Sequence, residues 1–407
     1  LADANIVDLK AEVSHISLNA QGGAERLSVS VIKALSEMGV EIELSTFETP
    51  NPQIMISAYG EHVDKRLSKV RSLSLLSSLL HSGKSEADIF VNTHGDMLPL
   101  YRQNFSKDNC ITYCHYPIAG LRIEGEDKEY LELLSDISSA QMIPETRDLF
   151  LQKSREAYKN MLLNSKVVTN SEYSRKAIFK IYGVDSTVLY PPVDIAAFQK
   201  HALTSQSRAD DILVISRFHR SKKIHNAIHL AKLLKRESIG RRMVIVGNIA
   251  PDGGEYFEYL RRLRRTYGLE DYVRFEPSAT FSRLIELVRN SKVYLHPLPG
   301  EPFGISTVES MSAGLIPVVP DIGGHTEFVP ARFQFHTFRE GVDAVSEALD
   351  APVSDHLWMS HRASDFSVSR FIHKFKQIVS ELVGLRMPSI EPARPLATQK
   401  MPADAAA

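Results

Sequence analysis

A chain of 407 residues, 43% apolar and 24% charged, has the length and composition of about two globular domains. Its formal net charge of -1 excludes the basic excess usual in a nucleic-acid-binding protein, so no nucleic acid is expected as a partner. No apolar run of about 18 residues or more occurs, so no membrane-spanning helix is expected.

Asp3 and Asp8 stand where a secretory signal would carry a basic region and an apolar core, so none is expected. The first expected strand is Val13–Leu18. A Gly22-Gly23 turn follows, then a helical pattern from Ala24 to Glu37 that Gly39 stops. Later strands are Val40–Phe47, Asp88–Val91, Ile111–Cys114 and Val167–Thr169. Cys110 and Cys114 are four apart, so on a strand both face one side. Two cysteines make neither a disulfide framework nor a zinc ligand set, and buried free thiols fit a reducing cytoplasm.

Residues 69–80 put Leu73, Leu76 and Leu80 on one helical face behind Lys69 and Arg71. That pattern fits either an interfacial helix on an anionic membrane surface or an ordinary core helix. Between His115 and Lys153 the alternation breaks, with an acidic run from Glu124 to Glu132. Such a long irregular stretch is usually functional or mobile. Helical patterns resume at Leu151–Asn164 and Tyr173–Tyr182.

Tyr190-Pro191-Pro192-Val193-Asp194 and the polar run His201–Asp211 read as a domain boundary. The second half restarts the alternation. Its strands are Ile212–Ser216, Met243–Val246, Val273–Phe275, Val293–His296 and Ile316–Val319. Its helices are Lys222–Lys235, Tyr256–Tyr267, Phe281–Arg289 and Ile305–Ala313, with a last amphipathic helix at Val368–Val383. The expected class is α/β, with two Rossmann-like parallel-sheet domains facing a cleft. These are residues 1–192 and 193–366, followed by a helix over 367–386 able to pack back toward the first domain. The Pro- and Ala-rich stretch 387–407 reads as a disordered tail.

The most informative segment is Gly300-Glu301-Pro302-Phe303-Gly304-Ile305-Ser306-Thr307-Val308-Glu309. It follows a strand and opens a helix, whose free amides and positive dipole end suit a diphosphate. Glu301 and Glu309 flank that anion site and fit a ligand that also carries sugar hydroxyls. Arg217 ends a strand at the edge where open α/β sheets bind ligands, and Lys222 follows five residues later. Gly22 and Gly23 form a strand-to-helix turn of the kind that admits phosphate. The dinucleotide and P-loop glycine patterns are absent. So is D-x-D, so no metal and no other cofactor is expected.

Glu301-Pro302-Phe303-Gly304, Glu309 to Gly314, Ile316-Pro317-Val318-Val319 and Gly323-Gly324 in that order resemble the E-x7-E region of retaining GT-B glycosyltransferases of the family 4 type. Gly22-Gly23-Ala24-Glu25 resembles the glycine loop of their first domain, and Ser216-Arg217-Phe218 with Lys222 their basic pair. The run His115-Tyr116-Pro117 is similar to that of dolichol-linked-oligosaccharide alpha-mannosyltransferases. The resemblance implies that Arg217 and Lys222 bind the donor diphosphate, Glu309 the ribose and Glu301 the sugar ring. Gly22, Gly23, Phe303, Gly304, Ile305 and Ser306 complete the donor site, and Pro277 and Ser278 approach the base. His115 is a candidate ligand of the transferred sugar, and His94 a weaker candidate on the acceptor side. Two positions depart from the pattern: Lys223 and Pro277 stand where the family often has glycine.

The implied activity is retaining, metal-independent transfer of a hexose from a nucleotide diphosphate sugar to a lipid-linked or glycan acceptor, with mannose from GDP-mannose the best donor. A nucleotide-sugar epimerase or a glycan phosphorylase on the same fold, and a non-catalytic nucleotide-sugar-binding subunit, are the alternatives. The expected location is cytoplasmic and peripheral on the membrane face.

Overall fold

Short apolar strands alternate with amphipathic helices, and in a computed structural model they assemble into two parallel sheets. The structure describes residues 9–73, 87–94, 109–117, 156, 158–202 and 208–384. They separate into two compact units that change over after Pro192 and again after Ser367.

Among its described residues the first unit has seven strands: β1 (Lys10–Ser14), β2 (Glu41–Thr46), β3 (Lys69–Ser72), β4 (Ile89–Asn92), β5 (Cys110–Cys114), β6 (Lys166–Thr169) and β7 (Thr187–Val188). They run parallel in the order β3-β2-β1-β4-β5-β6-β7. Helix α1 (Gly23–Glu37) buries Leu27, Val31 and Leu35, at helical spacing. Helix α2 (Pro52–Tyr59) starts at an Asn51 cap and stops at left-handed Gly60. Helix α3 (Glu172–Tyr182) starts at a Ser171 cap and stops at left-handed Gly183. Cys110 and Cys114 are buried free thiols in one apolar cluster.

Two sequence expectations are corrected here. The first strand ends at Ser14 rather than Leu18. Its ladders with β2 and β4 stop at Ser14↔Ser45 and Ser14↔Asn92, so His15 begins the loop. Residues 69–72 are an edge strand rather than the start of a leucine-faced helix. Lys-Val-Arg-Ser has the two-residue period of a strand. Lys69 and Arg71 both lie beside Glu43 on β2, where the interfacial-helix alternative had them meet anionic headgroups. Leu76 and Leu80 lie outside the described residues, as does the segment 118–150. Among the described residues no helix is long and apolar enough to cross a membrane.

The second unit has six strands: β8 (Ala209–Ile215), β9 (Arg242–Gly247), β10 (Val273–Pro277), β11 (Ser291–Leu295), β12 (Ile316–Pro320) and β13 (Gln334–Phe335). Their parallel order is β10-β9-β8-β11-β12-β13. The helices are α4 (Ile195–Gln199), α5 (Ile224–Arg236), α6 (Gly254–Thr266), α7 (Phe281–Asn290), α8 (Ile305–Ser312), α9 (Phe338–Leu349) and α10 (Val353–Ala363). The last helix, α11 (Val368–Leu382), returns to the first unit and packs on α1. It buries Phe371, Phe375, Ile378 and Val379 in that unit's core, and Lys376 pairs with Glu37 at 2.7 Å. Each such apolar side chain contributes about 1.5–3 kcal/mol when fully buried.

In both sheets the chain starts in the middle, winds outward, then returns to build the other half. The strand order therefore reverses between β1 and β4, and between β8 and β11. The carboxyl ends of those pairs are where open α/β sheets take ligands.

Arg208 shows how the second unit holds its helix ends. It is 7% exposed and donates to Ser291 O at 2.9 Å and to Ala313 O at 2.5 Å. Those carbonyls follow α7 and α8, where the negative dipole ends stand in for a carboxylate. Burial lowers the guanidinium pKa to about 10, still far above neutrality. Arg208→Leu should strand these carbonyls and cost about 1.5–3 kcal/mol. Urea unfolding of the full chain checks this, and an unchanged midpoint would show that the carbonyls find other partners.

Candidate active site

The second unit's switch point brings together most of the motif residues. Beyond β8 the chain runs through Ser216 and Arg217 into a short 3-10 turn, Arg220–Lys222, and then α5. Beyond β11 it runs through His296 and Pro297 to Glu301 and then α8. Gly247 admits the first loop: a Cβ there would lie 2.1 Å from Ser216 O. Phe218 anchors it, fully buried against Phe257 and Phe275. Arg217 stays exposed, two residues past the strand end, with no side-chain partner among the described residues. Asn226 on α5 donates to Pro297 O at 3.0 Å and so ties the two loops together.

Glu301 and Lys222 meet across this gap, with Nζ 3.0 Å from Oε2. The Glu301 side chain is 14% exposed. Burial alone would raise its pKa; Lys222, and His296 at 3.6 Å, override that and hold the carboxyl well below its usual range. The Glu301 backbone is clamped as well. It bridges Gly323, and its carbonyl accepts from Gly324 N at 2.8 Å. Gly323 has φ 134°, and a Cβ there would lie 2.8 Å from Glu301 O. The glycine pair of the motif thus shapes the Glu301 loop.

Helix α8 opens at the expected Ile305, after Gly304 in the left-handed region at φ 97°. Ile305 and Ser306 are half-buried at its start, and Glu309 is half-buried in its second turn. Phe303 turns its side chain inward. Its side chain is 3% exposed and packs with Phe328 and Phe366, so it anchors the loop from within. Pro277 ends β10 opposite Gly247, and Ser278 follows at φ 57°, donating its N–H to Gly247 O. Both are exposed. Lys223 has φ 45°, a conformation that glycine would adopt without cost.

The first unit's switch point gathers three histidines. His15 follows β1, His94 lies two residues past β4 and His115 follows β5. The His15 and His94 rings are 5.3 Å apart. His115 Nε2 lies 3.0 Å from Thr93 O, which can only accept, so Nε2 carries the proton and Nδ1 is left as an acceptor. Burial lowers the His115 pKa to about 4 and that of His94 far below its usual value. Both His94 nitrogens are buried without a hydrogen-bond partner among the described residues. His15 Nδ1 bonds Ser28 and Thr93, and its Nε2 lies 3.5 Å from Glu25. Glu25 also accepts from Gly22 N at 2.8 Å and so shapes the Gly22-Gly23 turn that opens α1.

The sequence reading missed His15, Glu25, Tyr294, His296 and His325. A polar residue just past each apolar run is the signal that would have found His15 and His296. Among the described residues no group of three or more His, Cys, Asp or Glu is arranged to hold a metal ion.

Two parallel α/β units with ligand-side loops of this kind define the GT-B fold. Solved structures agree: a glycosyltransferase from Rickettsia africae covers 92% of this chain and 98% of its own, with TM-score 0.65 and 16% identity. Sucrose-phosphate synthase from Thermosynechococcus elongatus covers 92% and 99%, with TM-score 0.66 and 15% identity. Residues 197–365 match the family described as Glycosyl transferases group 1. The chain is 28% identical over 223 residues to a GDP-Man:Man(3)GlcNAc(2)-PP-Dol alpha-1,2-mannosyltransferase from Dictyostelium discoideum, covering 50% of this chain and 44% of the relative. It is 26% identical over 344 residues to the Neurospora crassa protein of the same name, covering 74% and 61%. The chain thus spans less than two thirds of either relative. An alpha-1,3/1,6-mannosyltransferase from Dictyostelium discoideum is 26% identical over 369 residues, 79% of this chain and 84% of its own.

A carboxyl held below its ordinary pKa of 4.5 contributes stability that is complete above that pH and is lost as pH falls toward the folded-state value. Glu301→Gln should therefore lower stability by a constant amount from neutrality to about pH 4.5, with the gap closing at lower pH. Chemical unfolding of parent and variant across pH tests this. A gap of one size down to about pH 3 would show that Lys222 and His296 do not set the carboxylate.

Proposed function

We propose that this protein is a retaining, metal-independent hexosyltransferase that takes mannose from GDP-mannose and passes it to a lipid-linked glycan. The observation that carries this is the half-buried Lys222–Glu301 pair at the β8/β11 switch point, with Arg217 exposed two residues past β8 and the start of α8 following the Glu301 loop. Arg217, Lys222 and the amides of α8 offset the charge that develops on a departing diphosphate. Protein cations in these positions do what a divalent metal does elsewhere. Glu301 meets the hydroxyls of the sugar, and Glu309, farther along the helix, those of the ribose. The donor and the lipid-linked acceptor are drawn from the names of the relatives, which carry GDP-Man and PP-Dol; attachment to the cytoplasmic membrane face is proposed to accompany such an acceptor.

A panel of nucleotide sugars scored by thermal shift, then by product analysis with and without acceptor, tests the reading. GDP-mannose should stabilise the protein and be consumed only with acceptor; conversion without acceptor would point to an epimerase. Glu309→Ala should weaken nucleotide binding by about 1.5–3 kcal/mol. Glu301→Ala should keep nucleotide binding and lose transfer. Transfer should persist in EDTA, and loss restored by manganese or magnesium would overturn the metal-independent mechanism.

A further inference from the structure

We propose that His296, held by Tyr294, is the positioning residue that keeps Glu301 aimed at the donor sugar when Lys222 turns to the diphosphate. This rests on Glu301 being the sugar ligand.

The argument starts from hydrogen counting. The Glu301 carboxylate can only accept. Lys222 Nζ approaches its Oε2 at 3.0 Å, and His296 Nε2 approaches the same oxygen at 3.6 Å. Oε1 has no hydrogen-bond partner among the described residues, so it is the oxygen open to a sugar hydroxyl. His296 is 5% exposed, and its Nε2 is buried with no hydrogen bond of its own among the described residues. Facing an acceptor, Nε2 carries the proton. Nδ1 then accepts from Tyr294 O–H at 2.9 Å, and Tyr294 accepts from Ser306 O–H at 2.8 Å. The chain runs in one direction, from the first turn of α8 to the carboxylate.

Its members are rigid. Tyr294 is fully buried in β11, and His296 lies two residues on, on the same side of the chain. The His325 ring packs at 5.3 Å, and its Nε2 donates to Pro320 O at 2.8 Å, so it does not compete for Glu301. Lys222 is different: its side chain is 30% exposed on a flexible stem, and under the proposed function it is a ligand of the diphosphate. Once its charge is shared with phosphate, a buried carboxylate needs a second donor, and His296 is the one in place.

Four variants test this by calorimetry with GDP and by transfer kinetics with GDP-mannose. A glutamine amide reaches the Nε2 position, whereas an asparagine amide reaches only Nδ1. His296→Gln should therefore stay close to the parent in kcat. His296→Asn and His296→Leu should lose about 10- to 100-fold in kcat, with GDP affinity within about two-fold of the parent. Tyr294→Phe should fall between. Parental kcat in His296→Leu, or GDP affinity falling in step with kcat, would overturn the positioning role while the proposed function stands. A parent that neither binds GDP nor transfers mannose would remove that function, and this role with it.

Discussion

A carboxylate withdrawn from water must be partnered, and in the second unit that requirement is concentrated on Glu301. Its side chain needs Lys222 from beyond β8, so the two loops of the switch point must approach each other. Its backbone needs Gly323 and Gly324 from beyond β12, so the next loop must fold inward as well. The core beneath serves the same end: Phe303, Phe328 and Phe366 lock the Glu301 loop from below, while Phe218, Phe257 and Phe275 lock the Arg217 loop. The site is a consequence of strand order plus one buried charge.

The backbone stores strain where ligands are expected. Only four non-glycine residues have positive φ among those described: Gln21, Lys223, Ser238 and Ser278. Three of them sit in loops at the carboxyl ends of strands, next to the Gly22 turn, Lys222 and Pro277. Such conformations persist only when the surroundings impose them. Lys223 is the clearest case, because the residue before it supplies the ammonium and the residue after it begins a packed helix. A glycine would relieve the strain; the lysine adds a positive charge beside Lys222.

Strong periodicity made most of the architecture legible in the sequence. The eight-residue spacing of Glu301 and Glu309 identified the helix α8 region, and the strands before Arg217 and His296 stood out as buried runs. Failures followed from the same logic. The strand β3 was hidden because its four residues precede a leucine pattern of another period. The helices α9 and α10 went unread for want of a chemical motif to draw attention to them. The place of Phe303 in the motif does not reveal that its side chain is buried as an anchor of the loop. Tyr294 and His296 could not be linked to Glu301 from sequence, since their bonds depend on strand register and on the turn after β11.

The histidines at the two switch points share one physical device. His115 donates Nε2–H to Thr93 O, and His325 donates Nε2–H to Pro320 O. A carbonyl cannot donate back, so each ring has its tautomer fixed and its Nδ1 left as an acceptor. Burial keeps both neutral at ordinary pH, with pKa values of about 4 and about 3. A neutral imidazole with a fixed lone pair neither attracts nor repels phosphate strongly, but it discriminates by direction. It accepts from a hydroxyl that arrives along one line and offers nothing to an apolar group. The buried carbonyls behind the two rings fix that direction.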